Sequence, residues 1–441
     1  MKRRVLPFLY IVVILGIILA LRAWLPKYAG MLLFFLLFLL FDGALWLRTR
    51  KQLFPAGRKV TFLLAVLFWL PHLLLATAFT FSLFVPFLSW NIPFRTLLQS
   101  TALILFLAHL FPVTALVLLY ILKGARKVIR LTGARFPMPG SKTTRRVQTG
   151  GWALGFMTFL LFLAGTLFWQ FDFRVRPVTI PLTDLPASFN GLRIVQISDV
   201  HLGSWSSRKR LAEAIDRINA LHPDAVFFTG DMFNYCTADG DDFLPILKSL
   251  QAPLGIFAIA GNHDYGDYIR WQSEDAKRKN MDQFRDFYRE LGWKLLMNEH
   301  YYLRRGNDSL AVIGVENWGA THRFQRLADL GKATAGVDTN GVQLLLSHDP
   351  TYWDRVVRKN YPWIDVTFSG HTHGGQIGID CGNFRWGPIA WMSPLWNGLY
   401  SDTLSNRHSV LYVNPGLGNI GYAGRIGILP EITLFTLTSS H

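Results

Sequence analysis

Leu192-Arg-Ile-Val-Gln-Ile197 is an apolar, β-rich run, and it leads straight into Ser198-Asp199-Val-His201, which carries two side chains of metal-ligand type. The same construction recurs four times. Ala225 to Thr229 runs into Gly230-Asp231, Ile256 to Ala260 into Gly261-Asn262-His263-Asp264, Val342 to Leu346 into His348-Asp349, and Ile364 to Phe368 into Gly370-His371-Thr-His373. Apolar runs of ~4–8 residues bounded by turn formers read as buried strands. Ligand types therefore stand where buried strands end. Between the first two runs, Arg208 to Leu221 places Leu211, Ala214, Ile215, Ile218 and Leu221 at helical spacing, and Asp275 to Leu291 reads as a second, charge-rich amphipathic helix. Strands alternating with helices imply crossover units and an α/β sheet. Ser309 to Val315, Ser409 to Val413 and Glu431 to Leu437 read as further strands.

The preceding residues obey a different solvent. Five apolar stretches, Val5 to Leu25, Met31 to Leu47, Val60 to Leu83, Leu97 to Leu122 and Trp152 to Phe171, are long enough to cross a hydrocarbon core, which needs about 20 residues as a helix. The expected organisation is an α-helical membrane bundle over 1–171, a linker with a lead-in strand over 172–190, where Pro177, Pro181 and Pro186 fall, and an α/β domain over 191–441.

The net charge of +16 belongs almost wholly to the first part. Residues 1–171 hold 19 Lys and Arg against one acid, Asp42, whereas the remainder holds 26 bases against 28 acids. A near-neutral soluble domain has no electrostatic footprint for nucleic acid, and no nucleic-acid partner is expected. Alternating the loops puts 16 bases on one side, from Lys2, Arg3 and Arg4 through Arg48 to Lys59 and Lys123 to Arg146. Only Arg22, Lys27 and Arg95 fall on the other. Basic short loops stay in the cytoplasm, so the reading is an integral plasma (inner) membrane protein with its amino terminus inside and its catalytic domain extracytoplasmic. A cleaved signal peptide is the rival reading of the first stretch, but no small-x-small site follows it.

Two divalent ions a few ångströms apart can clamp a phosphoryl group and generate a nucleophile between them. Such a site needs oxygen and imidazole ligands with one carboxylate shared. Asp199 and His201 on one loop, Asp231 as the bridge, Asn262 through its amide oxygen, and His348, His371 and His373 through imidazole supply that set. Glycines at 230, 261 and 370 permit close backbone approach beside the ions. Manganese, iron and zinc all suit mixed His and carboxylate ligands. Any one block alone is common in turns; their order and their shared position after apolar runs carry the reading.

Ser198-Asp-Val-His-Leu-Gly203, Gly230-Asp231, Gly261-Asn-His-Asp264, Ser347-His348 and Gly370-His-Thr-His-Gly-Gly-Gln376 resemble the calcineurin-like metallophosphoesterases over about the last 250 residues. The Gly-Gly-Gln extension, with Gly398-Leu-Tyr400, Leu411-Tyr-Val-Asn-Pro-Gly-Leu-Gly418 and Pro430-Glu-Ile-Thr433, is similar to the membrane-associated branch related to the YkuE and YaeI phosphoesterases and to transmembrane proteins bearing this domain. The resemblance implies two mixed β-sheets sandwiched by helices in four layers. It assigns Asp199, His201 and His373 to a first metal, Asn262, His348 and His371 to a second, and Asp231 to both. It makes His263 the acid that protonates the leaving oxygen and Asp264 the carboxylate that orients it, a pairing that raises an imidazole pKa.

The implied function is hydrolysis of a phosphoester by metal-bridged hydroxide attack with His263 as general acid, with a phosphodiester or pyrophosphate favoured, lipid-linked if the tether is part of the task. A membrane sensor or transport-like protein that uses the metal domain for binding or regulation is the alternative, since five helices exceed what an anchor requires. Its candidate residues are His72, His109 and Asp42 within the apolar stretches, which also fit polar packing. His222, His300, His322, His408 and His441 read as loop or surface histidines. The stretch Trp386 to Trp396 fits either a pocket for an apolar substrate portion or packing against a bilayer interface. Cys236 and Cys381 lack zinc-motif spacing but follow two strand ends, so a disulfide between the loops and two unconnected thiols both remain open.

Overall fold

The computed structural model describes residues 29–440 except 54–57, 83, 87–88, 134–138, 320–324, 383 and 403–408, and before residue 29 only positions 16 and 23. Among the described residues four long helices come first: α1 (Ala29–Leu53), α2 (Arg58–Ser82), α3 (Ile92–Arg130) and α4 (Ser141–Ala164), the last continued by a π-helical turn, Gly165–Trp169. Among the described residues three helices, at three of the five expected spans, are long and apolar enough to cross a membrane: Thr61–Ser82, Ile92–Arg130 and Ser141–Trp169. The span expected over Met31 to Leu47 falls within α1, whose described part includes a shorter apolar helix, Phe35–Leu47. The span expected over Val5 to Leu25 lies outside the described residues apart from those two positions. α3 and α4 outrun their apolar stretches because Lys123 to Arg130 and Ser141 to Arg146 stay helical.

The chain divides into two compact units, one of Met1–Pro86 with Thr101–Leu160 and the other of Phe87–Ser100 with Leu161–His441. Within the first, Gly151 and Gly155 of α4 lie against α3. A Cβ at Gly155 would stand 2.3 Å from the Ala108 carbonyl oxygen, so only a bare backbone fits there. The bundle also buries a polar cluster. Asp42 Oδ2 accepts from His72 Nε2 at 2.7 Å, and the His72 and His109 rings are 5.8 Å apart.

The second unit holds two six-stranded sheets. The first runs β1 (Arg174–Leu182), β14 (Glu431–Ser439), β2 (Arg193–Ile197), β3 (Ala225–Phe228), β4 (Ile256–Ala258), β5 (Lys294–Leu295). The second runs β12 (Gly398–Asp402), β13 (Ser409–Val413), β9 (Val366–Ser369), β8 (Gln343–Leu346), β7 (Asp308–Gly314), β6 (Glu299–Arg305). Both are mixed: β2, β3, β4 and β5 are parallel, as are β13, β9, β8 and β7, while β14 and β2, β12 and β13, and β6 and β7 are antiparallel. A small hairpin, β10 (Ile379–Asp380) with β11 (Arg385–Trp386), stands apart.

Between the sheets lies a sealed apolar layer that includes Ile194, Phe227, Phe257, Val312, Leu344, Phe368 and Phe435. Strands covered on both faces explain why the central runs read as continuously apolar rather than alternating. The outer face of the first sheet is covered by α5 (Arg208–Ala220) and α6 (Glu274–Leu291), whose apolar residues, Leu211, Ile215, Phe284 and Tyr288 among them, join one core. Tyr352, Trp353 and Val357 join the core on the outer face of the second sheet. The order helix, sheet, sheet, helix is the expected four-layer sandwich of mixed sheets.

Candidate metal centre

Every ligand-type block emerges at the carboxyl end of a parallel strand, three from the first sheet (β2, β3, β4) and two from the second (β8, β9). Backbone hydrogen bonds lock these ends together: Asp199 N donates to Gly230 O, His201 N to Asp231 O and Gly370 N to His348 O, at 2.9, 3.1 and 3.0 Å. Five of the seven expected ligands sit in the left-handed region, with φ of 50° at Asp199, 49° at His201, 60° at Asp231, 72° at His371 and 53° at His373. That region is unfavourable for any residue with a Cβ and clusters at functional sites. The glycines work by close approach. A Cβ at Gly230 would stand 2.6 Å from Gly261 N, and one at Gly370 1.9 Å from Ser198 Oγ.

The seven side chains converge. His201 Nε2 and His373 Nε2 are 3.0 Å apart, and His373 Nε2 lies 3.3 Å from Asp199 Oδ1. On the other side Asn262 Oδ1 is 2.7 Å from His371 Nδ1 and 3.2 Å from His348 Nε2. Asp231 Oδ2 reaches both groups, at 3.5 Å from His201 Nε2 and 3.2 Å from His348 Nε2. Asp199, His201 and His373 thus form one ligand group, Asp199, Asp231 and His348 another, and His201, Asp231 and His263 a third. Imidazole nitrogens and carboxylate oxygens packed this closely, with no apolar side chain between them, fit divalent cations by donor chemistry. Second interactions fix the rings: His348 Nδ1 donates to Thr229 O at 2.7 Å, which turns Nε2 into the cluster.

Electrostatics agrees with that fit. Burial pushes His201 down to about 3 and holds His373, beside the His201 ring, well below the ordinary imidazole range, so both are neutral and ready to ligate. His371 is lowered, again first by burial. His348 differs. Burial alone would lower it, but Asp231 raises it to about 10. Burial would raise Asp231, yet the charges of His348 and His263 hold it well below the usual carboxylate range. Burial pushes Asp199 up to about 7, with His348 opposing and Asp231 adding.

His263 stands beside this cluster, its ring 4.9 Å from that of His201. Its Nδ1–H donates to Asn234 O at 2.8 Å, and its backbone N–H donates to Asp231 Oδ1 at 2.8 Å. Asp264, expected to orient this imidazole, gathers backbone amides. Its Oδ2 accepts from the amides of Asp231 and Gly261 at 2.9 and 2.8 Å, and its Oδ1 from those of Met232 and Phe233 at 2.9 and 3.1 Å. Four amide donors consume its lone pairs, so the carboxylate fixes two ligand loops while a main-chain carbonyl holds the ring. Burial and the Asp231 charge push Asp264 up to about 7 against those amides.

Four contributors were not singled out from the sequence as site residues. Tyr268 stacks flat on His263, with centroids 3.7 Å apart and planes 3° from parallel, and its hydroxyl accepts from Asn262 Nδ2 at 2.7 Å. Arg425, fully buried, donates to the carbonyls of His373, Pro415 and Gly416 at 3.2, 2.8 and 3.2 Å and also to that of Gly418. Gly416 and Gly418 approach the Asp199 loop, where a Cβ at Gly418 would meet Val200 O at 1.9 Å. The Asn414-Pro-Gly-Leu-Gly418 tail was a signal for the last of these. Nothing in the local pattern marks Tyr268.

Cys236 and Cys381 are free thiols, so the disulfide alternative is not formed. His222 is exposed, and His300 donates from Nδ1 to Ala333 O at 2.9 Å. His322, His408 and His441 lie outside the described residues.

The chain is similar to named proteins over this same unit. Residues 192–375 match the family model for calcineurin-like phosphoesterase. The transmembrane protein with metallophosphoesterase domain of Danio rerio is 30% identical over 272 residues, which is 60% of this chain and 57% of that one. The metallophosphoesterase YkuE of Bacillus subtilis (strain 168) is 31% identical over 60% of this chain and 85% of its own length. The UDP-2,3-diacylglucosamine pyrophosphatase LpxG of Chlamydia trachomatis is 30% identical over 58% and 88%. The match thus spans just over half the length of the fish protein but most of the two bacterial ones. With its ligand blocks, two-sheet sandwich and family match falling on one segment, the chain belongs to the calcineurin-like metallophosphoesterase family.

Proposed function

We propose that this chain is a membrane-tethered, dinuclear-metal phosphoesterase. One observation carries the reading: seven ligand-type side chains from five strand ends converge on a buried cluster with Asp231 at its centre and His263 at its side. Asp199, His201 and His373 would hold one divalent ion, Asn262, His348 and His371 the other, and Asp231 both. Bound there, manganese, iron or zinc would polarise the phosphoryl group and supply a nucleophile at neutral pH.

The protein's own part is positioning and proton transfer. Asn234 O fixes the Nδ1 proton of His263, which leaves Nε2 to deliver a proton to the departing oxygen. Asp231 anchors the same residue through its backbone amide, so the acid and the shared carboxylate move as one body. Asp264 holds both loops in register.

The favoured substrate is a phosphodiester or pyrophosphate, and a lipid-linked one. The apolar helices support this, as does similarity to a protein named as a pyrophosphatase of UDP-2,3-diacylglucosamine. The basic loops support an amino terminus in the cytoplasm and a catalytic unit outside, in a chain integral to a plasma membrane. The test is turnover by the full-length, manganese-loaded protein of mono-, di- and pyrophosphate esters, soluble and lipid-linked. Asp231→Asn should abolish it, and His263→Ala should lower kcat by roughly 10²–10⁴ on poor leaving groups with metals retained. Failure of the loaded protein on every ester would sink the reading.

A second reading, a sensor or transport-like role for the bundle, is favoured by the buried Asp42–His72 pair with His109 beside it. If Asp42→Asn abolishes function in cells and Asp231→Asn does not, that reading replaces the first.

A further inference from the structure

The segment after the His371–Gly375 loop exposes an apolar edge. Ile379, Phe384, Trp386, Trp391 and Met392 are 46%, 59%, 41%, 78% and 84% exposed, and the Trp386 and Trp391 rings meet edge to face at 5.7 Å. Exposed apolar residues scattered singly need no explanation, but so dense a group on one hairpin and the turn after it marks an interaction surface.

The surroundings of that hairpin say what it faces. Tyr422 donates its hydroxyl to the carbonyl of Phe162, Arg425 N donates to Gly165 O at 3.3 Å, and Ala423 N donates to Ser100 Oγ at 2.9 Å. The segment Tyr422 to Arg425 is therefore tied both to Ser100 of α3 and to the last turns of the α4 helix. The same segment continues into the hairpin: Gly378 N donates to Ile426 O at 2.8 Å, and Ile377 bridges to Ile426 and Gly427. From the other side, Arg176 of β1, the first strand after α4, forms an ion pair with Asp380 of β10, and Arg385 pairs with the same carboxylate. The apolar edge is thus fastened, within the second unit, to the segment bonded to Ser100 near the start of α3 and to Phe162 and Gly165 at the end of α4.

We propose that Phe384, Trp386, Trp391 and Met392 insert into the interfacial layer of the phospholipid bilayer that α3 and α4 cross. The proposal rests on the membrane-tethered reading above. Aromatic side chains with one polar atom favour that layer, where the ring is dehydrated and the indole N–H stays at headgroup level. The Arg176–Asp380–Arg385 cluster keeps the charges of the hairpin paired. The edge is also coupled to the metal ligands. A Cβ at Gly375 would stand 2.8 Å from Ile389 Cβ, so the turn Pro388–Trp391 packs on bare backbone two residues past His373. The Thr372 hydroxyl, between His371 and His373, donates to Trp396 O at 2.6 Å. Docking the edge sets the ligand loop near headgroup depth, and this selects a phosphoester carried by a bilayer-resident amphiphile.

The test uses the full-length protein in phosphatidylcholine–phosphatidylglycerol nanodiscs, with Cys236→Ser and Cys381→Ser removing the native thiols. An environment-sensitive fluorophore is placed through Trp391→Cys, or through Met392→Cys should the first fail to fold. Tyr301→Cys on β6 is the exposed comparison. Spin-labelled lipids should quench the 391 probe several-fold more than the 301 probe, and shallow labels more than deep ones. Equal quenching at the two positions overturns the proposal. So does quenching at 391 that appears only after an acylated phosphodiester is added, which would make the edge an acyl-chain cradle. A probe shielded from both lipid quencher and aqueous iodide would overturn it in favour of a protein partner. Quenching reads position alone, so this result stands or falls apart from ester hydrolysis.

Discussion

Asp264→Asn separates two jobs that one carboxylate could perform. In the structure its two oxygens each accept two backbone amides, from Asp231 and Gly261 on one and from Met232 and Phe233 on the other. An asparagine keeps one oxygen and presents an NH₂ group where the other stood. Two amides of the ligand loops then face a donor inside a site that is 1% exposed. Each orphaned buried N–H costs about 1–3 kcal/mol, so the substitution should cost roughly 2–6 kcal/mol. At ~2–4 °C per kcal/mol for a domain of this size, Tm should fall by at least ~4 °C. Whichever oxygen is replaced, the two orphaned amides belong to ligand loops, either those of Asp231 and Gly261 or those of Met232 and Phe233, so metal affinity should fall with it. The assay is paired: thermal unfolding by circular dichroism, and manganese binding by calorimetry, on the variant and the parent. A variant that keeps its Tm and its metal affinity but loses turnover on poor leaving groups would refute the reasoning. It would return Asp264 to the role of orienting His263.

Two further outcomes follow from the same geometry. Tyr268→Phe removes the acceptor for Asn262 Nδ2 while keeping the ring stacked on His263. Metal affinity should fall by roughly 10–100-fold, the usual cost of losing such an outer partner. The second concerns protons. Asp231 keeps His348 protonated up to about 10 in the metal-free chain, so a cation taking His348 Nε2 must displace that proton. A raised pKa means the proton is fully held below that value and lost above it, so metal affinity should climb with pH across the neutral range. Calorimetry at neutral pH in buffers of different ionisation enthalpy should show proton release on loading. Affinity independent of pH would refute it.

The fold was legible where burial is two-sided. Leu192 to Ile197, Ala225 to Thr229 and Val342 to Leu346 are strands within a residue or so of their expected limits, because continuous apolar runs of that length have few other uses. β6 is absent from the expected strands: Glu299-His-Tyr-Tyr-Leu-Arg-Arg305 is an edge strand with one buried residue, Leu303, so no continuous apolar run marks it. β12, Gly398–Asp402, is likewise an edge strand, half exposed and short of apolar residues. In the site, ligand types were legible because metal chemistry restricts them. Tyr268 and Arg425 were not, since each acts through a partner distant in sequence or through main-chain carbonyls that carry no side-chain signature.

The same distinction explains why the ligand loops need the whole sandwich. Asp199, His201, Asp231, His371 and His373 all hold positive φ. A left-handed residue with a Cβ costs roughly 1–2 kcal/mol, so five together cost about 5–10 kcal/mol, the same order as the net stability of a domain. No local preference could maintain such a set. Cross-links between strand ends do, through Asp199 N to Gly230 O, Gly370 N to His348 O and the amides gathered by Asp264, and the sealed layer between the sheets holds those ends in place. Glycine at these five positions would relieve the strain and delete the ligand in the same stroke. The residue types therefore follow from the chemistry of the cluster, and the conformations that let them converge follow from the packing of two sheets whose contacts lie far away in sequence.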